Sequence, residues 1–224
     1  MIKSLLTIFF SVSSTLVFSQ VKFGVKAGGN LANMEVKSPE IDELGASPSP
    51  IPSFHLGGFA EIGLGKKMYF QPTLLVSGKG YKIDYSASQS GYTLAMNGKT
   101  NLLYLEAPLN IIGKFDAAPG FFLLGGGPYV GYALKGKSTG NIMLDGPGTD
   151  EDFSMPLDGD TEFGDGDMEY KRVDFGLNLL AGYESKKGRF LNLGYGLGLR
   201  NLNNAENSKE KHGVISLSVG FKLK

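Results

Sequence analysis

Hydrophobic and polar side chains alternate with a period of two along most of this chain. The clearest case is residues 171–202, where Phe175, Leu177 and Leu179 alternate with Gly176 and Asn178, and the pattern resumes after a short turn at 185–188. A period of two predicts β-strands, because successive side chains of a strand point to opposite faces. The predicted strands are about ten to fourteen residues long, enough for a tilted strand to cross a bilayer.

The same alternation predicts eight strands in all. They cover residues 21–32, 53–64, 68–83, 101–115, 121–135, the two halves of 171–202, and 212–223. The connections alternate between long and short, which is the arrangement of outer-membrane barrels with long loops outside and short turns in the periplasm. The sequence therefore predicts an all-β fold: an eight-stranded antiparallel up-and-down transmembrane β-barrel.

The two faces of the predicted strands differ in a way that indicates which one meets lipid. One face is bulky and apolar, whereas the other is small or charged and holds most of the 33 glycines. Aromatic residues at the short-turn ends of the apolar face predict an interfacial girdle: Phe23, Phe70, Phe115, Phe122, Tyr183 and Phe221. A soluble barrel of the lipocalin type, with its apolar face inward, is the rival, but a glycine-rich outer surface would be unusual for it.

Composition and the N-terminus narrow the cellular setting. Lysine plus arginine number 22, and so do aspartate plus glutamate, which makes the net charge zero. The charge therefore gives no indication of a nucleic-acid partner. Cysteine is absent, which leaves no disulfide or thiolate site. Residues 1–19, with Lys3 before an apolar core, are predicted to be a signal peptide, and residues 20–224 the barrel domain. The expected location is the outer membrane, reached by export.

Four short motifs recur through the predicted strands: residues 23–31 (FGVKAGGNL), residues 104–109 (YLEAPL), residues 174–184 (DFGLNLLAGYE) and residues 195–202 (YGLGLRNL). They resemble motifs of the PorT-like outer-membrane β-barrel proteins that are common in Bacteroidetes. The motifs span nearly the whole predicted mature chain in the family's order. The resemblance implies an integral outer-membrane barrel, and it implies no particular activity.

The charged residues of the small-residue face are predicted to fill the barrel. An eight-stranded barrel is just wide enough for side chains to fill its interior, and buried charges need partners. We therefore expect a salt-bridged plug formed by Lys22, Lys26, Glu61, Lys79, Glu106, Lys114, Arg172, Asp174, Glu184, Arg200 and Lys222. An alternative is that Glu61 and Glu106 form a carboxylate pair for acid–base chemistry.

The two histidines, His55 and His212, fall on inward positions near the long-loop ends of their strands. They are expected to be polar residues of the barrel mouth. A metal or catalytic role is the alternative. Outer-membrane enzymes that cut lipids need a histidine with a Ser or Asp partner, and the sequence spacing assembles none.

The connection at 136–170 is strongly acidic. Asp158, Asp160, Glu162 and Glu169 occupy relative positions 1, 3, 5 and 12 of an EF-hand loop, which makes them candidate ligands of a weak calcium site. Phe163 stands where that loop requires glycine, and no flanking helices are predicted. The alternatives are a solvated loop of like charges and a surface that binds a partner.

These features favour a non-enzymatic outer-membrane protein without a cofactor. Its expected partners are outer-membrane lipids and proteins of the cell envelope, bound through the long loops or the basic short turns that carry Lys66, Lys67, Lys186 and Lys187. A small-molecule carrier, a narrow pore and an outer-membrane lipid hydrolase are the alternatives.

Overall fold

The computed structural model describes residues 21–37, 45–146, 153–166, 169–205 and 208–223. The signal peptide predicted at residues 1–19 lies outside these ranges. Eight strands form the wall, as the alternation predicts. They are β1 (Lys22–Lys37), β2 (Ile51–Gly63), β3 (Met68–Gln89), β4 (Tyr92–Ala117), β5 (Gly120–Asp145), β6 (Val173–Ser185), β7 (Arg189–Gly198) and β8 (Lys209–Lys222).

Each wall strand pairs antiparallel with its neighbours in sequence, and β1 pairs with β8 to close the ring. The closing register runs from Gly24 opposite Lys222 to Lys37 opposite Lys209. The ladder between β4 and β5 contains a bulge, because Leu103 pairs with Lys135 while Tyr104 pairs with Ala133. Closure satisfies the backbone hydrogen bonds of both outer strands, which a barrel in lipid requires.

The bulky apolar face points outward, as expected for a membrane barrel. Leu179, for example, is 65% exposed on β6, and Leu193 and Leu217 are similarly exposed on β7 and β8. The predicted girdle residues Phe23, Phe115, Phe122, Tyr183 and Phe221 are exposed, and Phe70 is half-buried. The soluble-barrel alternative is therefore wrong, since it would place these side chains inside. No helix among the described residues is long and apolar enough to span a membrane.

Three strands extend well beyond the ends predicted from the sequence. Residues 84–100 are predicted to be a loop, but they continue β3 and β4 through a tight turn at Ser90 and Gly91. Both turn residues have positive φ, 54° and 86°, which is the geometry of a two-residue hairpin turn. The prediction fails because small and polar residues such as Ser86 and Ala95 blur the alternation there.

The connection after β5 also contains strands. β5 continues to Asp145, and the short strands Phe153–Pro156 and Gly159–Asp160 pair with it. A third short strand, Pro48–Ser49, pairs with β3. Residues 84–89, 92–97, 141–145 and 153–156 thus form a four-stranded sheet at the long-loop end of the barrel, which we call the extension.

Candidate functional site

The barrel interior near the short turns holds a closed network of four charges. The ammonium of Lys114 lies 2.8 Å from carboxylate oxygens of both Glu61 and Glu184. Lys222 lies 2.7 Å from Glu184 and also contacts Glu61. Lys114 additionally lies 4.4 Å from the centre of the Tyr69 ring. Two cations and two anions alternate, so the network is neutral, as buried charges require.

A second charged network lies nearer the long-loop end. Lys79 is 3% exposed, and its ammonium lies 2.7 Å from Glu106 and 3.0 Å from Asp174. Tyr129 donates a hydrogen bond of 3.0 Å to Asp174, and the Lys79 ammonium lies over the rings of Tyr129 and Tyr104. These contacts hold a single cation between two carboxylates and two aromatic faces.

Seven of the eleven predicted plug residues belong to the two networks. Lys26 and Arg200 are half-buried and form no ion pair with the residues that the structure describes. The other two predicted members need correction. Lys22 is the register partner of Glu61 but is exposed, because Lys114 and Lys222 already occupy that carboxylate. Arg172 is also exposed and lies 5.3 Å from the centre of the Phe163 ring, outside the barrel interior. Alternation in the sequence shows which face of a strand a residue lies on, but it does not show whether that position is buried inside the barrel or exposed at its end.

The proposed carboxylate pair of Glu61 and Glu106 is wrong. Glu61 belongs to the network of Lys114 and Lys222, whereas Glu106 belongs to that of Lys79. Each carboxylate lies against lysines and not against the other carboxylate. Each shares its lysines with a different carboxylate, Glu61 with Glu184 and Glu106 with Asp174, and the lysines between them neutralise the charge.

His55 lies beside the same small cavity as Lys79 and Glu106, and its side chain makes two short contacts. Asn30 donates from Nδ2 to the backbone oxygens of Phe54 and Gly78, so its Oδ1 is left to accept. His55 Nδ1 lies 2.7 Å from that Oδ1, and therefore donates to it. His55 Nε2, then unprotonated, accepts from the hydroxyl of Ser218 at 2.8 Å.

This Asn30–His55–Ser218 arrangement corrects the expectation that no partner assembles around a histidine. Its order, a hydroxyl on Nε2 and an orienting oxygen on Nδ1, is that of a serine nucleophile with its base. The sequence hides it because Ser218 is 163 residues from His55 and meets it only across β1 after closure. Glycine makes room for the ring, since a Cβ on Gly28 would lie 2.6 Å from His55 Cε1.

A small cavity of about 70 Å³ adjoins this group. Its lining includes Lys26, Ser216, Ser218 and Asn110. Towards the short turns, an apolar layer of Phe59, Ile112, Leu123 and Phe190 packs within the barrel. The interior can hold a few water molecules, because each needs about 10–15 Å³ of such volume.

The long-loop end of the interior is closed by a second apolar cluster of Met34, Leu102, Tyr104, Ala133 and Leu202. His212 is 1% exposed beneath it, with its ring edge-on to Tyr104. His212 and His55 are thus buried, and neither is the mouth residue expected from the sequence.

Above this cluster the hydroxyls of Tyr81 and Tyr170 lie 3.2 Å apart. Burial raises the pKa of the Tyr170 phenol above its usual range. The long-loop end of the barrel is therefore covered by the neutral phenol of Tyr170, and it does not open as a polar funnel.

The four candidate calcium ligands are not brought together. Asp158 accepts a hydrogen bond from the Gly140 amide, Asp160 pairs in register with Lys137, and Glu169 accepts from the Gly166 amide. Within the described part of the chain, no three Asp, Glu or His side chains form a group suited to a metal ion. A calcium site involving Glu162 and its neighbours stays a prediction that no geometry supports.

The extension carries an apolar face that is not covered by the barrel. Tyr85, Met96, Ile142 and Met155 stand in adjacent register positions across its four strands, and so do Ala87, Leu94, Leu144 and Phe153. Phe153 is 56% exposed and Leu94 40%. Sequence analysis missed this face because it requires the register of strands that the polar composition concealed.

The comparisons with known proteins agree with this architecture. Residues 13–204 match the model of a family described as the outer membrane protein beta-barrel domain. A search of curated proteins finds no match.

Several solved barrels are similar in structure at low sequence identity. The attachment invasion locus protein Ail of Yersinia pestis has a TM-score of 0.40 and 11% identity, with 90% of this chain and 98% of Ail covered. Neisserial surface protein A has a TM-score of 0.40 and 16% identity over 90% and 97% of the two chains. OprG of Pseudomonas aeruginosa has values of 0.34 and 13%, over 90% and 95%. The chain belongs to the outer membrane protein beta-barrel domain family.

Proposed function

We propose that this barrel has a non-enzymatic role, and that its extension binds a protein partner at the cell surface. The observation that carries the proposal is the uncovered apolar face of the four-stranded extension. Its four paired strands present that face beyond the end of the barrel wall. The finer resemblance of the sequence motifs to PorT-like proteins is compatible with this role but specifies no partner.

Lipid is an unsuitable cover for this face. On the outer side of the wall, Lys82, Asp84, Lys99 and Asn97 separate the apolar barrel surface from the tip of the extension. A lipid chain would have to pass these polar side chains to reach Leu94 or Phe153. Large exposed apolar patches outside a membrane mark protein interaction sites.

The extension also offers a backbone edge to a partner. Phe153–Pro156 pairs with β5 on one side, and no other described strand pairs with its far side. Such an edge accepts an added strand from a second chain, with alternate side chains lying on the apolar face. The favoured occupant is therefore a protein that presents an extended apolar segment.

The test is site-specific photo-crosslinking in the cells that make this protein. A photoreactive residue at Leu94 or Phe153 should give one discrete adduct, while the same residue at Ser86, on the opposite face, should give none. The substitution Leu144→Asp should abolish the Leu94 adduct without changing the mobility shift of the barrel on boiling. Equal crosslinking from Ser86, or no adduct from either apolar position, would exclude this role.

A second candidate function, ester hydrolysis, is favoured by one observation, the Asn30–His55–Ser218 arrangement. Ser218 would attack the ester carbonyl while His55 Nε2 takes the hydroxyl proton and passes it to the leaving alcohol. The adjoining cavity of about 70 Å³ admits only a very small acyl group, which makes this the weaker candidate. It predicts turnover of p-nitrophenyl acetate that Ser218→Ala abolishes and Ser216→Ala retains.

The filled interior also weighs against a carrier or a pore. The four-charge network, the apolar layer of Phe59 and Phe190, and the mouth cluster follow one another along the barrel axis. The polar cavity between them is smaller than the 300–1000 Å³ typical of ligand pockets.

A further inference from the structure

Four lysines form a patch on the outer surface at the base of the extension. Lys82, Lys99, Lys135 and Lys137, which we call the lysine patch, lie on the adjacent strands β3, β4 and β5. Each occupies a position whose partners in register face outward. Lys135 pairs with Leu103, and two residues further along β4 Leu105 pairs with the exposed Tyr132. The patch therefore begins where the apolar belt ends.

The register places these lysines close together. Lys82 and Lys99 are direct cross-strand partners. Lys99 pairs with Thr139, so that Lys137 is its diagonal neighbour, and Lys135 follows Lys137 on the same face. Direct and diagonal neighbours in a sheet lie roughly 5 and 7–8 Å apart. Like charges at these distances repel one another unless an anion lies between them.

The carboxylates that the structure describes neutralise only one of these four lysines. Lys82 forms an ion pair of 2.7 Å with Asp84. In the part of the chain that the structure describes, Lys99, Lys135 and Lys137 form no ion pair, even though Asp160 is the register partner of Lys137. Asp84 lies beyond Lys82 on the extension side, and the cross-strand partner of Lys135 on β4 is the apolar Leu103.

A groove supplies further donors beside the ammonium groups. It has a volume of about 310 Å³ and is lined by Lys82, Lys99 and Thr139, together with Asp84 and Asp158. Both carboxylates already have partners, because Asp84 pairs with Lys82 and Asp158 accepts from the Gly140 amide. Asn101 is exposed and pairs with Lys137. Ammonium, hydroxyl and amide donors thus converge on the same outer face, which is the donor set that a phosphate group needs.

We propose that the lysine patch binds the phosphate groups of a phosphorylated glycolipid in the outer leaflet. The patch lies at the end of the lipid-facing belt, where the headgroups of that leaflet lie. Lysine side chains extend their apolar stems along such a surface while the ammonium groups reach the headgroup region. The site needs no partner protein and is separate from the apolar face of the extension.

The test is native mass spectrometry. The full barrel in detergent is mixed with increasing amounts of lipid A, and the fraction that carries bound lipid is measured after the detergent is removed. The variant K99Q/K135Q/K137Q should bind about a hundredfold more weakly than the unchanged protein, from the attraction that each basic residue adds near an anionic surface. The matched control K66Q/K186Q/K187Q removes three lysines from the short turns and should bind normally. Both variants should retain the mobility shift on boiling.

Two further arms identify the ligand. Lipid A from which the phosphates have been removed should bind the unchanged protein as weakly as phosphorylated lipid A binds the patch variant. Inorganic phosphate at millimolar concentration should not displace the lipid, because it lacks the acyl chains that hold the headgroup at the wall. Equal binding of the two lipids, or of the two lysine variants, would overturn the proposal, and displacement by inorganic phosphate would assign the patch to a free anion.

Discussion

The Lys222 ammonium lies 2.7 Å from a carboxylate oxygen of Glu184, although a whole strand, β7, separates β8 from β6. The contact therefore crosses the barrel interior and is not a contact along the wall. It joins the last wall strand to the strand that precedes the final hairpin.

Removing this buried cation should be strongly destabilising. We expect Lys222→Met to lower the free energy of unfolding by ~3 kcal/mol, because Glu61 and Glu184 would keep two negative charges with only Lys114 between them. Urea unfolding of the barrel in lipid vesicles measures the change. The exposed pair of Lys67 and Asp116 is the control, and Lys67→Met should change stability by less than about 1 kcal/mol. Similar losses for both would show that the network is not buried as described.

The interior should not conduct ions. Both charged networks and both apolar clusters lie inside the barrel, where their side chains oppose a continuous water path between the two ends. We expect no stable unitary current when the refolded protein is inserted into planar lipid bilayers. Reproducible current steps from protein that retains the mobility shift on boiling would contradict a filled interior and restore the pore as a function.

Close packing around His55 gives a prediction with a control one residue away. Gly28→Ala should destabilise the barrel by ~1–3 kcal/mol, because the new methyl would lie 2.0 Å from the Leu217 carbonyl oxygen and 2.6 Å from the His55 ring. Gly29→Ala meets nothing within 4 Å and should have a small effect. Unfolding in urea compares the two variants. An equal loss from both variants would show that contact with the His55 ring and the Leu217 carbonyl is not the cause.

Apolar residues of the extension should contribute little to barrel stability. Phe153→Ser and Leu144→Ser remove side chains that are largely exposed, so each should change the free energy of unfolding by less than about 0.5 kcal/mol. The matched core substitution is Leu123→Ser, at a position 3% exposed inside the barrel, which should be far more damaging. A large loss from the extension variants would mean that this face packs against the chain itself.

The wall of this barrel could be predicted from the sequence because its two faces differ so consistently. Alternation of Leu191 and Leu193 with Asn192 and Gly194 is a local signal, and it gives both strand and face. The pairing of Lys114 with Glu61 could be predicted only in part. The buried Glu61 carboxylate needs a cation beside it, but the sequence does not show which lysine provides it.

The rest of the candidate sites depends on information that no local pattern contains. His55 meets Ser218 because the first wall strand lies between β2 and β8 in the closed ring. The lysine patch depends on the registers that set Lys82 opposite Lys99 and Lys137 near both. A shift of one residue in either ladder would turn these side chains to the other face.

The pairing of β1 with β8 also has a consequence for assembly. The second edge of β1 is covered only when β8 has been made and has paired with it. This contact joins residues that are almost two hundred positions apart. Ordering so long a loop before its contacts form slows folding. Until β1 and β8 pair, the backbone N–H and C=O groups along one edge of each strand have no hydrogen-bond partner in the hydrocarbon interior, which is unfavourable. Folding in the membrane should therefore depend on an assembly factor that binds the free edges of β1 and β8 until the two strands have paired.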